Sequence, residues 1–396
     1  MIKIPWSGKS HEFLKSEIKI LSKIIEKGDP LTGGKYLKLF EERLSKYLNL
    51  KNVFAVSSAA AALDIIALLC QIKKNDEIII PAHTYCASAI PFARNGGKIV
   101  WSDIDLKTRT VSVDDIIKKI TKKTKVIVVV HLYGYAFDVR KLKTRLKKKK
   151  ILIVEDCAQA FGAEVSGRKV GSFGDFACYS FHAQKNMTTL GEGGAIALKN
   201  VSLAKKVPGL RHNGHCSFKI KNREYWKPAM GNLDMDLRNK WPYKFTLSEI
   251  QCATGFLLLK RVNKLNRMRI SRAKYIIQSL SKFKELKFFS EFKKRRHVYH
   301  LIPAQVLSKN FNRDDLISIL YKKFKIQCVV QYYPLYKYPL FKKMGFGKSY
   351  CKNTELFFDN MISFPFHVWM SNSELVYMVN SIKKAITILN KNFENK

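Results

Sequence analysis

The chain has 396 residues, enough for one large domain, one smaller domain and a sizeable core. Its 46% hydrophobic and 12% aromatic content excludes a disordered protein, and no stretch reaches the length of a membrane-crossing helix. The formal charge of +41, from 72 Lys and Arg against 31 Asp and Glu, is spread along the chain without a nucleic-acid-binding signature; we read it as lysine filling permissive surface positions, with neither nucleic acid nor membrane as a partner.

In chain order, "MIKIPWSGKSHEFLKSE" is too mixed for a signal peptide, so the expectation is a soluble, cytoplasmic protein. "KYLKLFEERLSKYLN" (35–49) carries apolar residues at helical spacing. "NVFAV" then reads as a strand, "AAAALDIIALLC" as a helix and "DEIIIP" as a strand. "TYCASAIPFARNGG" reads as a helix with a glycine stop, "KIVWSDID" as a strand and "SVDDIIKKI" as a helix opened by Ser112. "KVIVVVHLYG" and "ILIVED" are short, continuously apolar runs, as expected of parallel strands covered on both faces. "DFACYSF" and "AIAL" read as two further buried strands. Together these elements predict a doubly wound α/β domain with its ligand at the carboxyl ends of the strands.

Beyond residue 200 the alternation fades. Residues 247–280 read as a long helical stretch, followed by "HVYHLIPAQVL" as a strand, "RDDLISILYKKF" as a helix, "IQCVVQYYPL" as a strand and "SNSELVYMVNSIKKAITIL" as a final helix. We place a boundary near residue 245, giving a large domain over 1–245 and a smaller α/β domain over 246–396. The eight cysteines are scattered singly with no C-x-x-C pair, which suits reduced, buried thiols rather than a disulfide framework or a metal site.

The chemistry concentrates at strand ends. "ILIVEDCAQA" closes a strand on Asp156, with Gln159 one helical turn later, and Lys185 follows after another strand. A buried carboxylate needs a donor or a cation, so Asp156 reads as a helix N-cap, as half of an ion pair with Lys185, or as one pole of a pyridoxal phosphate site. In that third reading the lysine holds the cofactor and the aspartate pairs with the ring nitrogen. Tyr85 supplies an aromatic face at another strand end, and "SSAAAAL" opens a helix whose free backbone N–H groups can receive a phosphate.

The ordered segments "TGGKYLKLFEERLSKYL", "VSSAAAAL", "IIIPAHTYCAS", "VHLYG", "VEDCAQAFGAE", "GRKVGSFGDFACYSFHAQKNMTTLGEGGAI", "LRHNG", "YKFTLSEIQCA", "QYYPLY" and "SFPFH" resemble the DegT/StrS-type nucleotide-sugar aminotransferases, from about residue 30 to about 385. The resemblance implies a fold-type-I pyridoxal phosphate enzyme that moves an amino group, with L-glutamate as the expected donor, onto a nucleotide-linked keto-sugar. It implies Lys185 as Schiff-base lysine and proton shuttle, Asp156 on the pyridine nitrogen, Gln159 on the ring's phenolic oxygen and Tyr85 stacked on the ring. Ser180 and the amides of Ala59 and Ala60 would take the phosphate. The chain departs from the family where Ala59-Ala60 replace Gly-Thr, which removes a hydroxyl from the phosphate cup. It departs again at Lys244, where an asparagine reaching the partner subunit's phosphate is usual; Lys244 could restore that interaction as a point charge in a homodimer, or be an exposed lysine of no consequence.

His131, Glu192, Asn213, His300 and His367 also fall in matching motifs. His131 reads as structural as readily as catalytic, and Glu192 among Gly191, Gly193 and Gly194 reads as a tight turn. Substrate choice is expected to lie in the loops around 213–243 and 331–338. Two other classes compete: a related sugar dehydratase, which carries histidine in place of the lysine and is therefore opposed by Lys185, and a degenerate regulatory or basic binding protein.

Overall fold

Residues 126–130 show why the central sheet forms where it does. Val126, Val128 and Val130 enter one apolar core while Ile127 and Val129 enter another, so a continuous apolar run serves both faces of one strand. The computed structural model describes residues 2–6, 11–28, 30–147, 149–216, 232–237, 239–289 and 292–394. Its main sheet contains β1 (Val53–Val56), β2 (Glu77–Pro81), β3 (Lys98–Ser102), β4 (Thr124–Val130), β5 (Leu152–Asp156), β6 (Phe176–Ser180) and β7 (Gly194–Leu198). The spatial order is β1-β7-β6-β5-β4-β2-β3. Strand β7 pairs antiparallel with β1 and β6, and the remaining neighbours are parallel. The carboxyl ends of β1, β2, β4, β5 and β6 therefore share one edge of the sheet, and β7 starts from that edge.

Helices cover both faces. Helix α1 (Lys15–Glu26) and helix α2 (Lys35–Leu48) precede the sheet, and α3 (Ala59–Leu69) follows β1 directly. From Ala61 to Leu69 every residue of α3 is buried, because it packs across β6 and β7 on one face. On the other face α2 lies against α4 (Glu249–Leu259). The Glu249 carboxylate accepts from the amides of Tyr36 and Leu37, at 2.7 and 3.0 Å, and so satisfies the first turn of α2 from another element.

A three-stranded antiparallel sheet of β8 (Leu286–Lys287), β9 (Ile302–Val306) and β10 (Met361–Phe364) carries the C-terminal core. It packs with α5 (Val262–Leu280), α6 (Arg313–Lys322) and α7 (Asn372–Glu394). The N-terminal segment joins this unit, since Ile4 bridges Ile326 and lies in the same core. Cys252, Leu258, Leu259 and Val262 pack into the large-sheet core, whereas Ala273, Ile276 and Leu280 pack into the C-terminal one. We propose the two-unit division with its dividing line inside α5 rather than near residue 245, and with residues 2–6 assigned to the smaller unit.

Three predicted elements differ. The helix expected over "TYCASAIPFARNGG" is a 3-10 turn, Cys86–Ser88, followed by a short helix, Ile90–Arg94. Pro91 cannot donate to the preceding turn, which breaks the helix and leaves Tyr85 at its head. The stretch over 247–280 is two helices, parted where Arg261 leaves helical geometry and pairs bidentately with Glu17 of α1, at 2.8 and 2.9 Å. "IQCVVQYYPL" is no strand; it meets the small sheet by the single bridge Val329–Ser363, and Tyr332 packs against the large-sheet core while Tyr333 stays exposed.

The end of β5 sets the site. Residues 155 and 156 face opposite sides of the sheet. Glu155 is fully buried and accepts from His131 Nε2 at 2.9 Å and from the amides of Gly171, Phe173 and Gly174 at 2.8, 2.7 and 2.5 Å. Burial would raise its pKa, but the His131 and amide donors outweigh burial and hold it below the usual value. His131 Nδ1 accepts from Phe137 N at 3.1 Å, so both ring nitrogens are occupied and His131 is structural. Cys157 lies within 4.8 Å of this pair, but the donors already engaged leave no lone pair aimed at a metal.

Glu155→Ala should cost about 3–5 kcal/mol in urea unfolding, because it strands four buried donors. The folded pKa of Glu155 is depressed, so its contribution is present above the unfolded pKa of about 4.3 and is lost as pH falls through the folded value.

Candidate active site

The shared carboxyl edge opens into a cleft of about 730 Å3. Ser58 caps α3, its hydroxyl accepting from Ala61 N at 3.0 Å, and the amides of Ala59 and Ala60 carry no hydrogen bond within the described residues. Both line the cleft. Ser180, at the end of β6, is in register with Gly194. Gly194 lies so close to α3 that a Cβ there would strike the carbonyl carbon of Ser58 and the nitrogen of Ala59. Backbone proximity thus brings Ser180 beside two unpaired N–H groups at a helix N-terminus, an arrangement that accepts a phosphate.

Asp156, 5% exposed, accepts from Ser88 Oγ at 2.7 Å and from Ala158 N at 3.0 Å. One lone pair on each carboxylate oxygen is spoken for, leaving capacity for a further donor from the cleft. Lys185 sits in the turn between β6 and β7. Its amide donates to His182 O at 2.9 Å, and its carbonyl accepts from His11 Nε2 at 3.0 Å. The turn closes through Ala183 N to Gly191 O at 2.7 Å, with Gly191 at φ 118°, where a side chain would be strained. Glu192 belongs to this turn, as expected, and lines the cleft with an exposed carboxylate.

Lys185 and Asp156 line the same cleft but form no direct ion pair, so they are not a mutually neutralised structural couple. Burial lowers the Lys185 pKa to about 8, and the negative charges of Asp156 and Glu192 offset part of that fall. A half-buried amine near neutrality is poised to attack a carbonyl. Tyr85 is 59% exposed and presents its ring to the cleft, meeting Tyr332 edge-on at 6.4 Å. Gln159 accepts from Tyr133 N and donates to Tyr332 OH, both at 2.7 Å, with one amide hydrogen left over.

Lysine amine, ring-nitrogen acceptor, open aromatic face and phosphate-type helix terminus are the donor set of pyridoxal phosphate, and the residues present fit it. Lys244 stands apart: it does not line this cleft, and its backbone bridges His212. Asn213, in the same loop, donates its amide to Tyr243 O at 2.8 Å. Much of the 213–243 loop, namely 217–231 and 238, lies outside the described residues.

A model of the DegT/DnrJ/EryC1/StrS aminotransferase family matches residues 13–383. The chain belongs to this family. It is 29% identical to a GDP-perosamine synthase of Vibrio cholerae, across 83% of this chain and 85% of that protein. It is also 29% identical to the dTDP-3-amino-3,6-dideoxy-alpha-D-galactopyranose transaminase of Aneurinibacillus thermoaerophilus, across 92% and 93%. Among solved structures, Spr1654 of Streptococcus pneumoniae in its PMP form superposes with a TM-score of 0.87 at 26% identity, covering 98% of this chain and all of that one. Spr1654 is also known in a PLP form. The chain is a fold-type-I aminotransferase of this family, and its cofactor is pyridoxal phosphate.

Sequence reasoning missed two members of the cleft wall, Tyr332 and Arg269, and the buried Ser88 that holds Asp156. Ser88 was hidden because it reaches Asp156 only after the break at Pro91. Tyr332 was hidden because its segment reads as a strand. Arg269 left a signal: it falls on the buried stripe of α5 with Val262, Leu265, Ala273, Ile276 and Leu280, where a charged residue is out of place.

Lys185 should acylate in cofactor-free protein with a rate that rises through about pH 8 and levels above it, while ordinary lysines are still gaining reactivity near their usual value. Peptide mass spectrometry after pulse labelling reads this directly, and a Lys185 profile that follows the other lysines contradicts it.

Proposed function

We propose that this aminotransferase moves an amino group from an amino acid, with L-glutamate the expected donor, to a nucleotide-linked keto-sugar during amino-sugar biosynthesis for surface polysaccharide or a related glycoconjugate. The single observation that carries the reading is Lys185, with its lowered pKa, facing one cleft with Asp156 and no direct ion pair between them. The two relatives whose names specify amino-sugar chemistry support the sugar class.

When bound, pyridoxal phosphate supplies an electron-withdrawing ring that carries the amino group between the two substrates. The chain's own residues do the rest. Ala59 N, Ala60 N and Ser180 Oγ would hold the phosphate, and Asp156 would accept a ring N–H and favour its protonated form. Tyr85 would cover one ring face, while Gln159 would offer its spare amide hydrogen to the phenolic oxygen. Lys185 would be the residue that attaches the cofactor, and its neutral Nζ would serve as the base that takes the proton from the donor α-carbon and returns it to the sugar carbon. A neutral amine is needed for that, and burial provides it. Histidine in this place, as in the dehydratases, would not form the resting attachment to the cofactor, so Lys185 favours transfer over dehydration.

In this reading the enzyme works as a homodimer in the cytoplasm. Lys244 lies outside its own cleft and serves its partner's phosphate, replacing the hydroxyl lost at Ala60. The exposed Trp241 and Leu233, 86% and 60% accessible, border the same strip and suit burial against a second copy.

Incubation of the pure protein with glutamate and a panel of nucleotide keto-sugars should yield an amino-sugar by mass spectrometry. Lys185→Ala should lower the rate by at least about 10³-fold and abolish borohydride trapping of the cofactor. No amino-sugar from any combination, with cofactor bound at Lys185, would sink the substrate assignment. Lys244→Ala should weaken pyridoxal phosphate binding about 3–10-fold by fluorescence titration without changing the sedimentation of the dimer. A monomeric active enzyme contradicts the Lys244 role.

A further inference from the structure

The backbone of Lys185 is held by a residue 174 positions upstream. His11 is 8% exposed, and its Nε2 donates to the Lys185 carbonyl at 3.0 Å. With the ring proton on Nε2, Nδ1 is a bare acceptor; it is buried and has no partner among the described residues. Burial lowers the His11 pKa to about 4; the bond to Lys185 O and the charge of Glu17 oppose that fall, while the charges of Arg269 and Arg261 add to it. The ring is therefore neutral at physiological pH and serves as a fixed N–H donor. Trp369 meets it edge-on, 6.4 Å between ring centres. A buried imidazole with one idle nitrogen costs stability, and the bond to Lys185 O is the one hydrogen bond the ring makes among the described residues.

The segment that carries His11 is fastened from outside the cleft. Arg261 Nη2 donates to Glu12 O at 2.5 Å, and Arg261 grips the Glu17 carboxylate through Nε and Nη2 at 2.8 and 2.9 Å. Glu17 also accepts from Leu14 N at 2.8 Å. Neither Arg261 nor Glu17 lines the cleft. The break between α4 and α5 is where Arg261 becomes available for this grip, and a helical pattern overridden at one residue points to a constraint set elsewhere. The residue after the lysine is held from the same corner. Asn186 Nδ2 lies 3.1 Å from both Asn266 Oδ1 and Val298 O, and Asn266 Nδ2 donates to Phe161 O at 3.0 Å. Both asparagines are buried. With the Lys185 amide donating to His182 O, both backbone polar groups of the lysine are engaged, which leaves the side chain free to move.

We propose that His11 is a positioning residue for Lys185: its Nε2–H holds the Lys185 carbonyl, so that Nζ moves between cofactor and substrate from a fixed backbone. The proposal rests on the reading of Lys185 as the reactive amine and adds the device that aims it. An amine that attaches, detaches and then carries a proton must reach two places from one origin. Displacing that origin by about 1 Å can cost about 100-fold in rate. The His11 ring also packs against the Lys185 backbone and so shares in excluding water from the turn, which is what keeps the amine neutral. His11 does not itself line the cleft, and it acts only through Lys185.

The test uses the full chain. In cofactor-free protein, H11A should move the midpoint of Lys185 acylation up from about 8 by about one pH unit, toward the ordinary lysine value, because water enters the turn. Loaded with cofactor, H11A should lower kcat for amino transfer about 10–100-fold while KM for glutamate moves by less than about threefold. H11Q carries an N–H as many bonds from Cβ as the histidine does, and it should return the acylation midpoint to the wild-type value and kcat to within about threefold of it. Circular dichroism and the thermal midpoint check the fold. If H11A does not fold, nitrogen NMR of the wild-type imidazole decides, with His11 expected neutral near neutral pH and its proton on Nε2. A folded H11A that keeps either the wild-type acylation profile or the wild-type kcat, an H11Q as impaired as H11A, or a His11 ring protonated on Nδ1 overturns the proposal. A wild type that transfers no amino group overturns the aminotransferase reading instead. The acylation and NMR readouts need no turnover and keep the two failures apart.

Discussion

Two carboxylates stand side by side at the end of β5, and the sheet can tolerate them only because a strand sends consecutive side chains to opposite faces. Glu155 is neutralised in its effect by His131 and three backbone amides from the 171–174 turn. That saturation fixes the carboxyl end of β5 and ties β4 and the 171–174 turn to it. Asp156 is thereby held on the cleft face, with Ser88 Oγ and Ala158 N donating to its carboxylate. One acid is spent on the fold so that the other is free for chemistry.

The second constraint is the seam between the two units. Tyr332 enters from the C-terminal side and takes the Gln159 amide, while the Tyr133 hydroxyl lies 2.7 Å from both Gln331 O and His83 Nε2. The Tyr133 hydroxyl carries one proton, so when it donates to Gln331 O it accepts from His83 Nε2, and when His83 Nδ1 carries the ring proton toward Tyr332 O, 3.2 Å away, it donates to His83 Nε2 instead. Burial lowers the His83 pKa to about 3, so this network does not charge near neutrality. Gln159 is therefore positioned by residues of both units, and the wall bearing Arg269 and His300 is joined to the wall bearing Asp156. Rigid supports on both sides let a small cleft hold Lys185 half-buried without a counter-ion in contact.

Much of this was legible from residues alone. Parallel strands covered on both faces leave continuous apolar runs, and β4 and β5 appear as such in "KVIVVV" and "ILIVED". The cap at Ser58 and the unpaired amides after it follow from a serine ahead of an alanine-rich helix. What failed did so for identifiable reasons. Pro91 divided an apolar-periodic segment whose pattern alone looked helical throughout. Residues 326–335 have strand composition, yet only Val329 bridges the small sheet, and Tyr332 turns to the large-sheet core instead. Arg261 ended a helix through an ion pair with Glu17, more than two hundred residues away, which no local window contains.

By itself the sequence determined the strand-helix alternation, the helix terminus at Ala59 and Ala60, and the order in which Tyr85, Asp156, Gln159, Ser180 and Lys185 meet the carboxyl edge. These are local matters of period, capping and chain direction. Only the tertiary structure decided that Lys185 and Asp156 share a cleft without pairing, that Gln159 is shared with Tyr332, that Lys244 does not line its own cleft, and that Arg269 stands uncompensated beside His300 and His367. Each depends on the desolvation and charge around a group once distant segments have packed, and those quantities have no value until the chain has folded.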